Sequence, residues 1–197
     1  MSYILVTPAK NEESFLPTMA KSIINQTIQP KIWVIVDDGS TDSTPDIIAN
    51  LQKSYTFIHN IKLNPRQRDS ELHYSGVCVK GFDYARQHCI DKKIDYDYIG
   101  LVDADIILER EYCKKIFKKF EENSTLGLSS GTLFIKRNDR FKVEIPHIRN
   151  PRGGNRFWSK TCFEKTGGFE QVPPAETLSK WKAVMHGFDI DRFQDIF

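Results

Sequence analysis

The chain alternates short, wholly apolar runs with stretches in which apolar residues recur every three or four positions. Tyr3-Ile4-Leu5-Val6-Thr7 is continuous up to Pro8, which predicts a buried strand over residues 3–7. Leu16, Met19, Ala20 and Ile23 then keep helical spacing. Ile32-Trp33-Val34-Ile35-Val36 reads as a second strand, and Asp37-Asp38-Gly39-Ser40-Thr41-Asp42 after it is turn and helix-start chemistry. Ser43 or Thr44 supplies a cap and Pro45 the first helical position. Ile47, Ile48 and Leu51 mark the inner face of that helix, and residues 56–61 read as a third strand. A polar loop over 64–69 leads to a helix over 75–89 with Val79, Phe82 and Ala85 inward. Ile99-Gly100-Leu101-Val102 then runs into Asp103-Ala104-Asp105, and apolar character resumes at Ile106 and Ile107. That stretch predicts a buried strand whose C-terminal end carries two carboxylates. A helix over 111–122 follows, with Cys113, Ile116, Phe117 and Phe120 on one side.

Strands alternating with helices in this way indicate an α/β fold with a mostly parallel sheet. The last third differs. Residues 126–135 read as a strand pair or one long strand, and 136–152 are basic, polar and weakly periodic. Gly153-Gly154 precedes Arg156-Phe157-Trp158, a short helix runs through Lys165, and Gly167-Gly168-Phe169 ends it as a glycine cap. A final helix over 175–185 spaces Leu178, Trp181 and Met185 along one face and stops at Gly187. No repeat or low-complexity tract divides the chain.

Composition narrows the classes. The 197 residues suffice for one sizeable core, and 40% hydrophobic with 27% charged residues is ordinary for a globular chain. Lys+Arg 28 against Asp+Glu 26 gives a formal charge of +2, which argues against a nucleic-acid partner. Cys78, Cys89, Cys113 and Cys162 are scattered without a C-x-x-C pair, as suits reduced, buried thiols in a cytosolic protein. Neither a leader nor an apolar run of membrane-spanning length is present, so the chain reads as soluble.

The candidate chemistry gathers at strand ends. In a parallel sheet ligands lie outside the carboxyl ends of the strands, so the loops at 7–12, 37–42 and 103–105 share one edge where a nucleotide could lie. Two carboxylates as close as Asp103 and Asp105 repel unless a cation is shared, and hard oxygen ligands of this type suit Mg²⁺ or Mn²⁺. An ordinary acidic loop is the alternative for the pair, and a plain strand-to-helix turn is the alternative for Asp37-Asp38-Gly39-Ser40.

Taken in order, the run from Ile4 to Glu13 (ILVTPAKNEE), Val36-Asp37-Asp38-Gly39-Ser40-Thr41-Asp42, Asp103-Ala104-Asp105 and Gly167-Gly168-Phe169 resemble the family 2 glycosyltransferases of the GT-A fold. Each motif alone is weak; the ordered set spans nearly the whole chain. The resemblance implies a Rossmann-like, mostly parallel central sheet flanked by helices, with a smaller mixed C-terminal part. It implies a single domain, with residues 1–105 holding the nucleotide and 106–197 on the acceptor side, and relatives usually continue past this point. The implied reaction is inverting transfer of a sugar from a nucleotide-sugar donor to the hydroxyl of a saccharide, lipid-linked or other acceptor. The implied place is the cytoplasm, with peripheral contact at the inner face of the membrane.

Carried over residue by residue, the resemblance points to Thr7, Pro8, Ala9, Glu12 and Asp38 around the nucleotide. A carboxylate at Asp38 accepts the imide N–H of uracil, whereas cytosine offers an acceptor there; UDP is therefore favoured, and guanine keeps GDP open. Asp103 and Asp105 resemble the family's DxD motif, Asp105 for direct contact with Mn²⁺ or Mg²⁺ and Asp103 for ribose or metal. Glu176, at the start of the last helix, occupies the place of the family's general base, where Asp is commoner. Helix capping is the other account of Glu176. Arg66 and Arg68 could add phosphate contacts or be solvated.

Weaker candidates are Phe157 and Trp158 as an acceptor platform, against core packing, and His147 and His186 as metal ligands. The basic tract Lys136, Arg137, Arg140, Lys142, Arg149 and Arg152 could face anionic lipid or a phosphorylated acceptor. Two other functions stay open. A sugar nucleotidyltransferase shares the sheet but usually has a glycine-rich first loop, which Thr7-Pro8-Ala9-Lys10-Asn11 lacks. A non-catalytic nucleotide-binding or interaction module would keep the fold without turnover.

Overall fold

The structure, a computed structural model, describes residues 1–64, 71–137, 140–143 and 150–197. In chain order the elements are β1 (Tyr3–Ala9), α1 (Leu16–Ile24), β2 (Ile32–Asp37), α2 (Thr44–Ser54), β3 (Ile58–Lys62), α3 (Glu71–Lys92), β4 (Tyr98–Val102) and α4 (Tyr112–Glu122). They continue with β5 (Leu126–Gly131), β6 (Phe134–Arg137), β7 (Arg140–Val143), β8 (Asn155–Ser159), α5 (Lys160–Thr166), α6 (Ala175–Met185) and β9 (Asp189–Phe193). Seven strands form one sheet in the order β3-β2-β1-β4-β8-β5-β9, and β6 pairs with β7 apart from it. The four strands β3, β2, β1 and β4 are parallel; β8 runs antiparallel to both β4 and β5, and β9 is parallel to β5. The result is the predicted α/β architecture with a mixed C-terminal part.

The unbroken apolar runs follow from burial on both sheet faces. Along β1, Tyr3 and Leu5 join one hydrophobic layer with Leu16, Met19, Ile23, Ile116 and Phe117. Their neighbours Ile4 and Val6 point the other way, into a layer with Phe82, Ala85, Ile99, Trp158 and Phe163. All four cysteines are buried and unbridged.

Strand β4 stops at Val102, because Asp103 and Asp105 turn the chain out of the sheet; Ile107 beyond them is 60% exposed. Residues 126–135 are divided between two sheets, with β5 in the main one and β6 in the hairpin. Phe157 and Trp158 lie on β8 and are fully buried, Trp158 against Phe82, Phe163 and Phe169, so they pack the core and form no acceptor platform. Gly167 does cap α5 in the left-handed region, at φ 83°.

The final helix has the predicted bounds and a different inner face. Ala175, Ser179 and Ala183 are buried, whereas Trp181 and Met185 are 63% and 83% exposed. Small residues there let the helix approach the sheet closely, which larger side chains would prevent.

Close packing also fixes Gly100, in the middle of β4. A Cβ at this position would stand 2.9 Å from Leu5 Cδ1 and collide with the Phe157 ring. We expect Gly100→Ala to destabilise the fold by about 1–3 kcal/mol through overpacking. Chemical denaturation at constant m-value is the check, and an unchanged midpoint would refute this account of the site.

Candidate functional site

Strands β1 and β4 are in register only from Tyr3↔Tyr98 to Val6↔Leu101, whereas β1 stays paired with β2 as far as Ala9↔Asp37. The last three residues of β1 thus lose one neighbour and a crevice opens between β1 and β4. It is the point where strand order reverses, the usual ligand position in such sheets. A cavity of about 120 Å³ lies there. Pro8, Ala9, Lys10 and Glu12 line it from β1 and its loop, Asp38 from the end of β2, His73, Tyr74 and Val77 from α3, and Asp103, Ala104 and Asp105 from the end of β4.

The first two loops are zipped together by their own polar groups. Asn11, at φ 56°, donates its N–H to Ser40 Oγ (3.0 Å) and accepts from Thr41 N (2.8 Å). Glu12 N donates to Thr44 Oγ1 and Glu13 N to Asp42, while Glu13 accepts from Ser43 N at the start of α2. Asp37 is fully buried and receives Ser40 N at 2.9 Å, so it braces the turn. Asp38 alone of the pair lines the cleft. Lys10 Nζ lies 3.2 Å from its Oδ2, and His73 Nε2 lies 2.8 Å from both of its oxygens. An ionised carboxylate only accepts, so His73 Nε2 carries the proton.

Asp103 sits on the opposite wall. Its N–H donates to Gly154 O (2.9 Å), and Tyr74 Oη donates to Oδ1 at 2.7 Å. A Cβ on Gly154 would stand 2.7 Å from Asp103 Oδ2, so glycine is needed for this approach. Burial pushes the Asp103 carboxyl up to about 6, and Asp105 and Glu176 add to the rise, against the Tyr74 hydrogen bond and Arg156. Asp105 is exposed at the mouth.

The acceptor side is built around Arg156. Its side chain is 0% exposed, and a buried guanidinium requires partners in every direction. Nε donates to the carbonyls of Arg152 (3.1 Å) and Gly153 (3.2 Å). Nη1 donates to Glu176 O (3.2 Å) and Ser179 Oγ (3.0 Å), and Nη2 lies 3.3 Å from Glu176 Oε2. The Glu176 carboxylate lies over Gly153, where any Cβ would strike it, and its side chain is 44% exposed.

The structure therefore gathers Pro8, Ala9, Glu12, Asp38, Asp103 and Asp105 around one cleft, with Glu176 approaching from the far side of Gly153-Gly154. Thr7 is set apart: it is fully buried, and its hydroxyl accepts from Trp33 Nε1 at 3.0 Å. Arg66, Arg68, His147 and Arg149 lie outside the described residues, as do the side chains of Lys136, Arg137 and Arg140. His186 is exposed at the end of α6. Lys10, His73, Tyr74 and Arg156 carry the site without having been picked out in the sequence. Lys10 lay within the first motif without a role of its own, and Arg156 stood as a cation between a glycine pair and two aromatic residues.

Among the described residues no three His, Cys, Asp or Glu side chains group as a ready-made metal cage. Asp103 and Asp105 offer two hard carboxylates beside an open cleft. That donor set fits a Mg²⁺ or Mn²⁺ ion that takes its remaining ligands from water and substrate oxygens.

Comparison with known proteins agrees with this geometry. Residues 4–172 match the family model for glycosyl transferase family 2. A putative glycosyltransferase, EpsH, of Bacillus subtilis (strain 168) is 27% identical over 125 residues, which are 62% of this chain and 31% of that protein. Poly-beta-1,6-N-acetyl-D-glucosamine synthase of Staphylococcus aureus (strain COL) is 21% identical over 70% of this chain and 30% of its own length. The chain thus spans about a third of the curated relatives it matches. Among solved structures, S. aureus TarS 1-349 in complex with UDP superposes with a TM-score of 0.71 at 16% identity, over 99% of this chain and 58% of that one. Mannosyltransferase PcManGT from Pyrobaculum calidifontis, in complex with GDP-Man and Mn²⁺, gives 0.69 at 18% identity, over 98% of this chain and 55% of that one. The fold is that of the GT-A glycosyltransferases.

The raised Asp103 carboxyl has a measurable consequence in chelator. Between pH about 4 and 6 the folded chain binds a proton at Asp103 that the unfolded chain has released, so stability falls as pH rises through that window. We expect urea midpoints in EDTA to decline over this range in the native chain and to do so less in Asp103→Asn. Parallel pH profiles for the two would remove Asp103 as the cause.

Proposed function

This chain belongs to glycosyl transferase family 2, and we propose that it moves a sugar, with inversion, from a nucleotide-sugar donor to an acceptor hydroxyl. The carrying observation is the crevice between β1 and β4, with Asp38 on one wall and Asp103 and Asp105 on the other, and with the Glu176 carboxylate over Gly153, next to the Gly154 that packs on Asp103. Structures of the same fold hold UDP, UDP-GlcNAc or GDP-Man with Mn²⁺, which supports a nucleotide-sugar as the ligand of that crevice.

UDP is the preferred nucleotide. The Asp38 carboxylate, braced by Lys10 and His73, keeps acceptor capacity for the imide N–H of uracil. Pro8, Ala9 and Glu12 border the base and ribose. Asp103 and Asp105 are the residues that would hold Mg²⁺ or Mn²⁺ and the donor ribose. Held by these two carboxylates, such an ion would supply Lewis-acid stabilisation of the diphosphate leaving group.

On the opposite side Glu176 takes the proton of the acceptor hydroxyl while that oxygen bonds to the anomeric carbon. The bond from the anomeric carbon to the diphosphate oxygen breaks on the far face, and configuration inverts. Arg156 holds the Glu176 carboxylate and the first turn of α6 in place for this. The acceptor is a saccharide, a lipid-linked molecule or another hydroxyl compound. Among the described residues no helix is long and apolar enough to cross a membrane.

Calorimetric titration of UDP, GDP, CDP and ADP, with Mn²⁺ and then with chelator, tests the donor site directly. Metal-dependent binding of UDP is the expected result, and no binding of any nucleotide would overturn the proposal in favour of a non-catalytic module. Asp105→Asn is expected to weaken UDP binding in Mn²⁺ by about tenfold or more with an unchanged circular dichroism spectrum; unaltered affinity sinks its metal role. Glu176→Gln should lower transfer by about 10²–10⁴-fold while sparing UDP binding. Full residual transfer would reduce Glu176 to a helix cap.

A further inference from the structure

Helix α3 begins at Glu71, four residues before the apolar spacing that announces it. The added turn carries His73 and Tyr74, consecutive residues that line the cleft and reach opposite walls of it. His73 Nε2 lies 2.8 Å from both oxygens of Asp38, beyond the end of β2. Tyr74 Oη donates to Asp103 Oδ1 at 2.7 Å, beyond the end of β4. The helix that carries them is set firmly on the sheet: a Cβ on Gly81 would collide with Val6 of β1 and stand 2.9 Å from Val36 Cγ2 of β2. One helical turn, anchored below by close packing, thus holds an acid on each side of the crevice.

We propose that His73 and Tyr74 are positioning residues of the donor site, His73 deciding which base Asp38 selects and Tyr74 deciding how Asp103 faces the donor ribose and metal. This rests on the crevice being the nucleotide-sugar site. A carboxyl group reads a base in one of two ways. With lone pairs alone it complements the imide N–H of uracil; with a proton of its own it complements the ring acceptor of cytosine. The His73 N–H spans both Asp38 oxygens, and Lys10 Nζ lies 3.2 Å from Oδ2. Donors on both oxygens leave Asp38 only lone pairs to offer, so it accepts from uracil and repels cytosine. Without His73 the carboxylate is free to turn about a broad torsion and to take up a proton, and the distinction between the bases weakens.

Tyr74 acts on the other acid by orientation. Asp103 has Gly154 packed against Oδ2 and the Tyr74 hydroxyl on Oδ1, so the plane of its carboxylate is fixed from both edges. Removing the hydroxyl keeps the ring in place and frees that plane, and a bound nucleotide and metal must then order it themselves. The two residues therefore govern different ends of the same ligand, the base through Asp38 and the ribose and metal through Asp103.

The test is calorimetric titration of UDP and CDP, each in Mn²⁺ and in chelator, into the native chain, His73→Ala, His73→Gln and Tyr74→Phe. Losing one hydrogen bond to a carboxylate is expected to change the affected quantity by about fivefold or more. In His73→Ala that quantity is the ratio of UDP to CDP affinity, which shrinks while the gain on adding Mn²⁺ stays. In His73→Gln the amide nitrogen takes the place of Nε2 and the ratio returns. In Tyr74→Phe the ratio stays and the gain from Mn²⁺ falls. Should His73→Ala lose the native circular dichroism, His73→Asn, whose shorter amide stops at the position of Nδ1, replaces it. An unchanged ratio without the His73 imidazole, an unchanged metal gain without the Tyr74 hydroxyl, or an equal loss for both nucleotides in both conditions overturns the assignment while UDP binding by the native chain keeps the donor reading. No nucleotide binding by the native chain overturns both.

Discussion

The site depends on one backbone event, the early parting of β4 from β1. Pairing of β1 with β2 continues through Ala9↔Asp37, while pairing with β4 ends at Val6↔Leu101. Had β4 continued alongside, Asp103 and Asp105 would be ladder residues with their backbone spent on the sheet. Instead the Asp103 N–H turns to Gly154 O, and the chain after β4 leaves the sheet as a polar turn. One strand end thus creates both the space for a ligand and the carboxylates that face it. The same departure leaves Thr7 behind in the core, its hydroxyl committed to Trp33, while the next two residues, Pro8 and Ala9, reach the cleft.

Two charged networks flank this opening, and they obey the same rule for buried charge. Asp38 is 5% exposed and bonded by Lys10 and His73; Arg156 has no exposed surface and meets carbonyls, a hydroxyl and a carboxylate. Removing a partner from the buried Asp38 network costs about 3–5 kcal/mol, whereas the Arg156–Glu176 pair, whose carboxylate is 44% exposed, is screened by solvent and contributes less. Each network spans separate elements: the first joins the loop after β1, the end of β2 and the start of α3, and the second joins β8 to α6. Their polar bonds therefore add directional constraints beside the cleft to the close packing of the hydrophobic layers beneath.

The parallel half of the fold was legible in the sequence because both faces of its strands are buried. Ile32-Trp33-Val34-Ile35-Val36 can scarcely be read otherwise, and Asp38, Asp103 and Asp105 stand out as acids at the ends of such runs. Strand β9 was not legible. Its residues Asp189-Ile190-Asp191-Arg192-Phe193 lie at the sheet edge, where half-exposed positions carry no apolar run. His73 and Tyr74 were hidden for another reason. They lie at the start of α3, before the stretch whose apolar spacing announces a helix, and nothing local says that the chain there returns to Asp38 and Asp103. Contacts across 35 and 29 residues of sequence are made by topology, and spacing within one element cannot encode them.

The inverted face of α6 shows how a local pattern yields to a site. Spacing alone favours Leu178, Trp181 and Met185 inside, yet Ala175, Ser179 and Ala183 are the buried residues. Arg156 explains the choice: its Nη1 reaches both Glu176 O and Ser179 Oγ, which requires the helix backbone to come within hydrogen-bond distance of a guanidinium rooted in β8. A leucine or tryptophan at position 179 would hold the helix away and leave the buried cation without two of its acceptors. The large apolar residues are therefore turned outward as a consequence of placing Glu176 over Gly153. The position of one carboxylate, fixed through one arginine, decides which side of the last helix the rest of the molecule can bury.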